Sequence, residues 1–388
     1  MSPPRRVTVV GAGFRFTSGI SYYTCRVANA LAERGAVSAL LMRQLIPAVL
    51  YPGRRRVGVP VHDLRYDPAV AVHDGLDWSW WRTLPAALRF LRRQAPDLLV
   101  LQWWTGAVLH SYALLAWYAR RRGARVLLEW HEVQDTGELR IPGARRYVQT
   151  VMGLLLRNVD GHVVHSDFDR RELARHYPIA AAPTALAPHG PYDHHRPAPR
   201  PQAADDGIIT LLYFGVIRPY KGVEDLVAAF ERLDAPVADR LRLVIVGETW
   251  EGWTAPLTAV ERSPRRDRIT VVNRYVTDAE VAGHFAAADV VALPYRRSSA
   301  SGPLHVAMAA GLPVVVSDVG GLREAAEGYA GAVFAPPADP DALAAAICRA
   351  LPLAGGRFAD PRSWTEVVDA YHRLFAEVTG DRAKPAAA

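Results

Sequence analysis

Leu212-Tyr213-Phe214-Gly215-Val216-Ile217-Arg218-Pro219-Tyr220-Lys221-Gly222 reads as a short apolar strand, a turn, and two cations ahead of a helix over residues 223–233. A strand that stops at one glycine and a helix that starts after another put the side chains between them at the carboxyl edge of a parallel sheet, where open α/β sheets keep their ligands. Arg218 and Lys221 then share a crevice that suits a phosphate. Of the chain's 46 basic residues only Lys221 and Lys384 are lysine. Against that bias toward arginine, a lysine inside an ordered stretch suggests a need for a compact point charge. The plainer reading is a solvated lysine at a loop tip.

Outward from this stretch the same grammar repeats. Apolar runs at 6–11, 38–42, 98–102, 125–130 and 161–165 alternate with helical patterns at 20–34, 80–93, 109–121 and 147–158. Runs at 208–214, 241–246, 269–272, 290–293 and 314–317 alternate with helices at 223–233, 278–287 and 304–310. Short buried strands separated by helices pair in parallel, so the chain predicts an α/β protein with two doubly wound domains facing a cleft. The first domain spans 1–190 and ends at Pro188-His189-Gly190, a Pro-, His- and Ala-rich linker follows over 191–206, and the second domain spans 207–360. A helix over 361–380 is long enough to cross back onto the first domain, and 381–388 reads as a disordered tail.

A chain of 388 residues that is half hydrophobic can bury two cores. Cys25 and Cys348 lack metal-ligand spacing, which argues for a reducing compartment. The opening residues lead straight into a strand without the apolar core of a signal peptide, a cytoplasmic pattern. Residues 98–119 carry no formal charge and approach the length of a membrane span. Trp103-Trp104-Thr105-Gly106 divides them as a turn between a strand and a helix. Residues 1–200 hold 27 basic and 15 acidic side chains, and the remainder 19 and 24. That asymmetry suits anionic acceptors, or peripheral contact of the basic N-terminal domain with an anionic membrane surface. The arginine runs are not interleaved with aromatics, which argues against nucleic acid.

Several motifs divide between chemistry and structure. Gly11-Ala12-Gly13 invites a dinucleotide site, but Phe16 stands where the third glycine belongs and no acidic partner follows, which counts against a nicotinamide oxidoreductase. The loop ending Thr17-Ser18-Gly19 offers backbone N–H groups to an anion or a sugar. His131, Glu132 and Asp135 follow the 125–130 strand at its carboxyl end, although His131 could be a satisfied loop residue. Asp167 and Asp169 have the D-x-D spacing of some metal-dependent transferases, yet behind Ser166 they read as first-turn carboxylates of a capped helix. His189, His194 and His195 fall in a linker that gives a metal no rigid second shell. Trp78, Trp80, Trp81, Trp103, Trp104 and Trp130 could stack on sugars or pack a core.

Tyr220-Lys221-Gly222, Ala288-Asp289-Val290 through Pro294-Tyr295, residues 307–313 and Ser317-Asp318-Val319-Gly320-Gly321-Leu322 together resemble the retaining GT-B glycosyltransferases of family 4 (group 1), with two Rossmann-like domains. Ser18-Gly19, His131, Val164-His165-Ser166 and Pro188-His189-Gly190 fall in the family's order, so the resemblance covers nearly the whole chain. It implies a nucleotide-diphosphate sugar donor on the second domain, an acceptor on the first, and no metal or other cofactor. Arg218 and Lys221 match the family's diphosphate cations, with Arg218 two residues past the usual position, which Val216 holds. His131 matches the histidine that contacts the donor sugar, and Gly19 the loop that closes on it.

The family's paired glutamates would fall at Ser298 and Val306, and neither is acidic. Ser298-Ser299-Ala300-Ser301-Gly302-Pro303 stands there instead, like a branch of the family with Ser-Gly at this place. Its hydroxyls and helix-start N–H groups would then bind phosphate. Gly215, Glu248, Tyr275, Val276, Ser298, Ser301, Gly302, Pro303 and Glu324 complete the donor site that the resemblance implies, and Ser18, Glu132 and Asp135 an acceptor site. Glu248 or Glu324 could take over one lost glutamate contact. The expected activity is transfer of a hexosyl sugar to a glycan, lipid-linked or natural-product acceptor. The alternative is a silent sugar-nucleotide binder or assembly partner of the same fold, which the missing glutamates would explain.

Overall fold

The computed structural model describes residues 4–14, 19–44, 64–78, 80–133, 144–177, 179, 182–192, 207–250, 252–298 and 300–380. The chain divides into two compact units, Met1–Gly190 with Ser363–Ala388, and Pro191–Arg362.

The first unit runs β1 (Arg6–Ala12), α1 (Gly19–Ala32), β2 (Ala36–Gln44), β3 (Ala71–Asp77), α2 (Trp80–Gln94), β4 (Leu98–Trp103), α3 (Leu109–Arg121), β5 (Arg125–Trp130), α4 (Ala144–Leu156), β6 (Gly161–Val164), α5 (Asp167–His176) and β7 (Thr184–Leu186). Its parallel sheet has the order β3-β2-β1-β4-β5-β6-β7. The central strands are buried along almost their whole length, as strands covered on both faces must be. Leu101, Tyr112, Leu115, Leu128, Met152 and Leu155 pack beneath α2, α3 and α4 on one face. Trp103 and Trp130 meet edge to face in this core, 6.2 Å between ring centroids. Trp103 and Trp130 are therefore core and not acceptor surface, whereas Trp78, Trp81 and Trp117 are exposed.

The second unit runs β8 (Ile209–Phe214), α6 (Val223–Arg232), α7 (Ala235–Ala238), β9 (Leu241–Val246), α8 (Ala255–Arg262), β10 (Ile269–Val272), α9 (Asp278–Ala287), β11 (Val290–Leu293), α10 (Gly302–Ala309), β12 (Val314–Ser317), α11 (Gly320–Ala326), β13 (Ala332–Ala335) and α12 (Pro340–Ala350). Its six-stranded parallel sheet has the order β10-β9-β8-β11-β12-β13. The order reverses at β8, so the stretch 212–222 leaves the sheet at its topological switch point.

The last helix, α13 (Trp364–Gly380), belongs to the first unit and packs against α1, β5, β6 and β7. Val367, Val368, Tyr371, Leu374 and Phe375 form its buried stripe at helical spacing. Trp364 seats its indole on Gly190, where an added Cβ would come within 2.5 Å of the ring. The glycine of Pro188-His189-Gly190 is thus a packing requirement of this helix.

Trp103, read as part of a turn, instead extends β4, and a short turn capped by Thr105 leads into α3. Ser166 caps α5 by accepting from the Asp169 amide at 3.0 Å, while Asp167 pairs with Arg170. Cys25 and Cys348 are both free. No helix among the described residues is long and apolar enough to cross a membrane.

In this core the Trp130 indole N–H donates to His162 Nδ1 at 3.1 Å, so the neutral ring carries its proton on Nε2. Burial pushes His162 down to about 4 from an ordinary 6.5. Below about 6.5 the unfolded chain binds a proton that the folded chain refuses, so this stability is full above that pH and drains away as pH falls toward 4. We expect calorimetric melting temperatures to fall over that window, with a shallower slope in His162→Gln. An unchanged slope in the variant would show that His162 is not the buried neutral base described.

Candidate active site

The second unit builds its site from backbone geometry first. β8 ends at Phe214, and a short 3-10 turn, Pro219–Lys221, hands the chain to α6 through Gly222 in the left-handed region at φ +62°. A Cβ at residue 222 would lie 2.0 Å from the Pro294 carbonyl oxygen, so the end of β11 passes directly over this glycine. Arg296 then braces the turn. Its amide donates to the Tyr220 carbonyl at 2.8 Å, its guanidinium meets both oxygens of Asp225 at 2.8 Å, and it pairs with Glu224 at 3.0 Å.

Arg218 and Lys221 lie on rings rather than in such a fork. The Arg218 guanidinium carbon sits 4.5 Å from the centroid of the Trp250 ring. Lys221 Nζ sits 3.6 Å over Tyr295 and 5.1 Å from Tyr220. Tyr295 is fully buried and exchanges a 3.3 Å hydroxyl contact with Ser301, the N-cap of α10. Ser301 Oγ also accepts from the Leu304 amide at 3.3 Å, and Gly302 and Pro303 form the first helical positions. Lys221, Tyr295, Ser301, Gly302 and Pro303 are therefore one connected group. Gly215 belongs to it, because a Cβ there would lie 3.3 Å from Pro303.

The other sequence candidates in this unit are spread more widely. Ser298 donates to the Ala300 carbonyl at 2.9 Å, and its own carbonyl accepts from Gly321 at 3.1 Å, joining that loop to α11, which carries Glu324. Val306 is buried in α10. Glu248 follows β9, and its carbonyl accepts from Ile217 at 2.9 Å. Tyr275 and buried Val276 lie between β10 and α9.

In the first unit His131 leads into a buried polar cluster that sequence reasoning did not assemble. Glu129 is fully buried, accepts from the Tyr23 hydroxyl at 2.6 Å and from Gln102 at 3.0 Å, and lies 3.6 Å from His131 Nε2. Burial works to raise its pKa, but His131, His165 and the Tyr23 hydroxyl outweigh that and hold it at about 2. Burial pushes His131 down to about 4, with Glu129 opposing.

Hydrogen-bond geometry fixes the tautomers. His165 Nδ1 must donate to the Ala187 carbonyl at 2.8 Å, so its Nε2 accepts from His131 Nδ1 at 3.1 Å. His131 Nε2 remains a buried lone pair without a hydrogen-bond partner among the described residues. The nitrogens of His131 thus face His165 and Glu129 in the interior of the unit, whereas the resemblance implies that His131 contacts the donor sugar.

His189 completes a trio with His131 and His165 whose nitrogens lie within 4.8 Å of one another. It differs from the linker trio considered in the sequence, since His194 and His195 lie outside the described residues. Each ring comes from a different strand end, so no local spacing announced the cluster. Gly19 opens α1 and Glu132 is exposed beside His131, whereas Ser18 and Asp135 lie outside the described residues.

Comparison with known proteins agrees with this architecture. The family model for a glycosyl transferase 4-like domain matches residues 18–190, and that for glycosyl transferases group 1 matches 209–352. A D-inositol 3-phosphate glycosyltransferase from Geodermatophilus obscurus is 28% identical across 94% of this chain and 88% of its own length. A GDP-mannose:glycolipid 4-beta-D-mannosyltransferase from Xanthomonas campestris pv. campestris is 32% identical over 44% of this chain and 49% of its own. Among solved structures, sucrose-phosphate synthase from Thermosynechococcus elongatus superposes with a TM-score of 0.62 at 20% identity, covering 98% of this chain and 97% of that one. Anabaena Alr3699/HepE in complex with UDP gives 0.62 at 14%, covering 98% of each. With one model matching each unit, this chain belongs to the group 1, family 4-like glycosyltransferases and carries the GT-B fold.

Proposed function

We propose that this enzyme transfers a hexosyl sugar from a nucleoside-diphosphate donor to a glycan or lipid-linked glycan, with retention of configuration and without a metal. One observation carries the reading: Arg218 and Lys221 both lie at the switch-point edge of the second sheet on aromatic supports, Lys221 on the Tyr295 ring that contacts Ser301 at the capped start of α10. Breaking the anomeric bond develops negative charge on the leaving diphosphate. Preorganised cations and N–H groups aimed at that charge are commonly the largest catalytic term. Arg218, Lys221 and the amides after Ser301 are suited to that task, with Gly215, Glu248, Tyr275, Val276, Ser298 and Glu324 around the rest of the donor. His131, buried and uncharged, serves as a positioning group and not as a nucleophile, and the departing phosphate takes the acceptor proton. Ser18, Glu132 and Asp135 belong to the acceptor side, and Gly19 to the loop that closes on the donor sugar.

Relatives named for GDP-mannose and a glycolipid, and neighbours solved with UDP, support a nucleotide-sugar donor and a lipid-linked acceptor class. The silent-binder reading has one observation in its favour, the replacement of both glutamates by Ser298 and buried Val306.

The acceptor class agrees with the surface of the first unit. α2, α3 and α4 contain no aspartate or glutamate, and their exposed positions include Arg89, Arg92, Arg93 and Arg121 beside Trp81, Trp117, Tyr147 and Leu154. An acid-free, tryptophan-bearing basic face fits an anionic bilayer on the cytoplasmic side, where such a transferase would meet its lipid-linked acceptor.

Titration with UDP, GDP, ADP and dTDP and their hexose conjugates should find one nucleotide that binds in the micromolar range. Lys221→Ala should weaken that binding and lower kcat/KM by about a hundredfold. A variant within about threefold of wild type would sink the diphosphate assignment, and binding without hydrolysis or transfer would move the chain to the silent class. Product NMR decides retention, since a β-linked product from an α-linked donor would exclude it.

Vesicle sedimentation tests the surface separately. The protein should bind phosphatidylglycerol vesicles at low salt and not phosphatidylcholine vesicles. Arg89→Glu/Arg92→Glu/Arg93→Glu should lose about a hundredfold in partitioning with nucleotide binding intact. Equal binding to both vesicle types, or to neither, would remove the membrane from the reading.

A further inference from the structure

The arginine of the proposed diphosphate site stands two residues later than the family pattern expects, and the structure contains a device that accounts for it. β8 and β9 pair in parallel up to Phe214 and Val246. The pairing then resumes beyond both strand ends. The Ile217 amide donates to the Glu248 carbonyl at 2.9 Å, the Trp250 amide returns a 3.0 Å bond to the Ile217 carbonyl, and Ile217 and Thr249 form a parallel bridge. The Thr249 amide is held in turn by Asn273 Oδ1 at 2.9 Å.

Ile217 is fully buried. In extended backbone the next side chain points the other way, so Arg218 leaves the strand opposite Ile217, directly beside the residue that follows Thr249. That residue is Trp250, and the Arg218 guanidinium carbon lies 4.5 Å from its ring centroid. Arg218 Nε is buried without a hydrogen-bond partner, and no ion pair holds the guanidinium among the described residues. The indole face is the support observed for it.

We propose that Trp250 is a positioning residue: it fixes the plane of the Arg218 guanidinium so that its terminal N–H groups meet the donor's diphosphate. This replaces the arginine that the family pattern places at Val216. The inference rests on the donor-site reading above. A face-on cation–π contact leaves the in-plane N–H edge open, and that edge is what recognises two phosphate oxygens at once. Trp250 thereby acts through Arg218 and not on the nucleotide.

The test is a double-mutant cycle on the full chain, reading calorimetric Kd for the nucleoside diphosphate that binds wild type best. Trp250→Ala should weaken binding about five- to thirtyfold, and Trp250→Phe, which keeps a ring face, should recover most of it. In an Arg218→Ala background the tryptophan substitution should add less than about twofold, whereas in a Lys221→Ala background its full effect should persist. An equal effect in both backgrounds would mean that the indole touches the ligand or merely supports the fold, and would overturn the proposal. If Arg218→Ala itself leaves Kd unchanged, the diphosphate reading falls and takes this inference with it. If Arg218→Ala weakens binding but Trp250→Ala does not, only this inference falls.

Discussion

The carbonyl oxygen of Pro294 occupies the space where any residue but glycine at position 222 would carry its Cβ. That close approach ties the end of β11 to the start of α6, and the proposed donor site depends on it. It brings Tyr295 beneath Lys221 and lets Arg296 reach Asp225, Glu224 and the Pro219 carbonyl. The carboxylates nearest the turn are thereby spent on Arg296, a cation that braces the backbone. Arg218 and Lys221 rest instead on Trp250 and Tyr295, whose faces attract a cation without neutralising it. Two kinds of cation thus meet at one turn, and their partners separate the roles.

The fold was legible because parallel strands buried on both faces have to be short apolar runs between helices. The strands that escaped notice lie at or next to sheet edges. β3 carries His73, Asp74 and Asp77, β7 is three residues long, and β13 is only the four residues Ala332–Ala335, so none had a long apolar run to announce it. The cations at 218 and 221 were legible because glycines bracket them. Trp250 and Arg296 were not. Each gains its meaning from a residue about 30 or 70 positions away, joined only when β9 and β11 settle beside β8. The one local hint was the Arg296-Arg297 pair beside Tyr295, which composition alone reads as ordinary surface.

His131 shows the limit from the other direction. A motif could name the residue but not its neighbours, and those neighbours decide its protonation. Glu129 survives burial as a carboxylate because the Tyr23 hydroxyl and the Gln102 amide donate to it. The price is a crowded interior in which His131 gives its proton to His165, and α13 closes that interior with Trp364 beside Tyr23. A buried polar network that is almost fully satisfied defines one arrangement of the strand ends around it. The role this geometry suits is rigidity at the carboxyl edge of the first sheet.

The missing glutamates can be weighed on the same terms. Glutamates are useful to a transferase for contacts with hydroxyls, and neither Ser298 nor Val306 can replace a carboxylate there. Leaving-group stabilisation needs positive potential instead, and losing two carboxylates beside a diphosphate site makes that potential more positive. Ser301 adds to it by capping α10 so that the helix start is ordered, with Pro303 contributing no N–H to be satisfied. On the proposed donor-site reading, with the nearby acids tied to Arg296, the chain would keep the electrostatic half of the family's machinery and would have exchanged the hydroxyl-recognising half. Sugar and ribose recognition must then come from groups such as Glu248 and Glu324, on the elements that flank this edge. In the proposed site catalytic power and donor selectivity would therefore sit on different residues, and substitutions should be able to move one without the other.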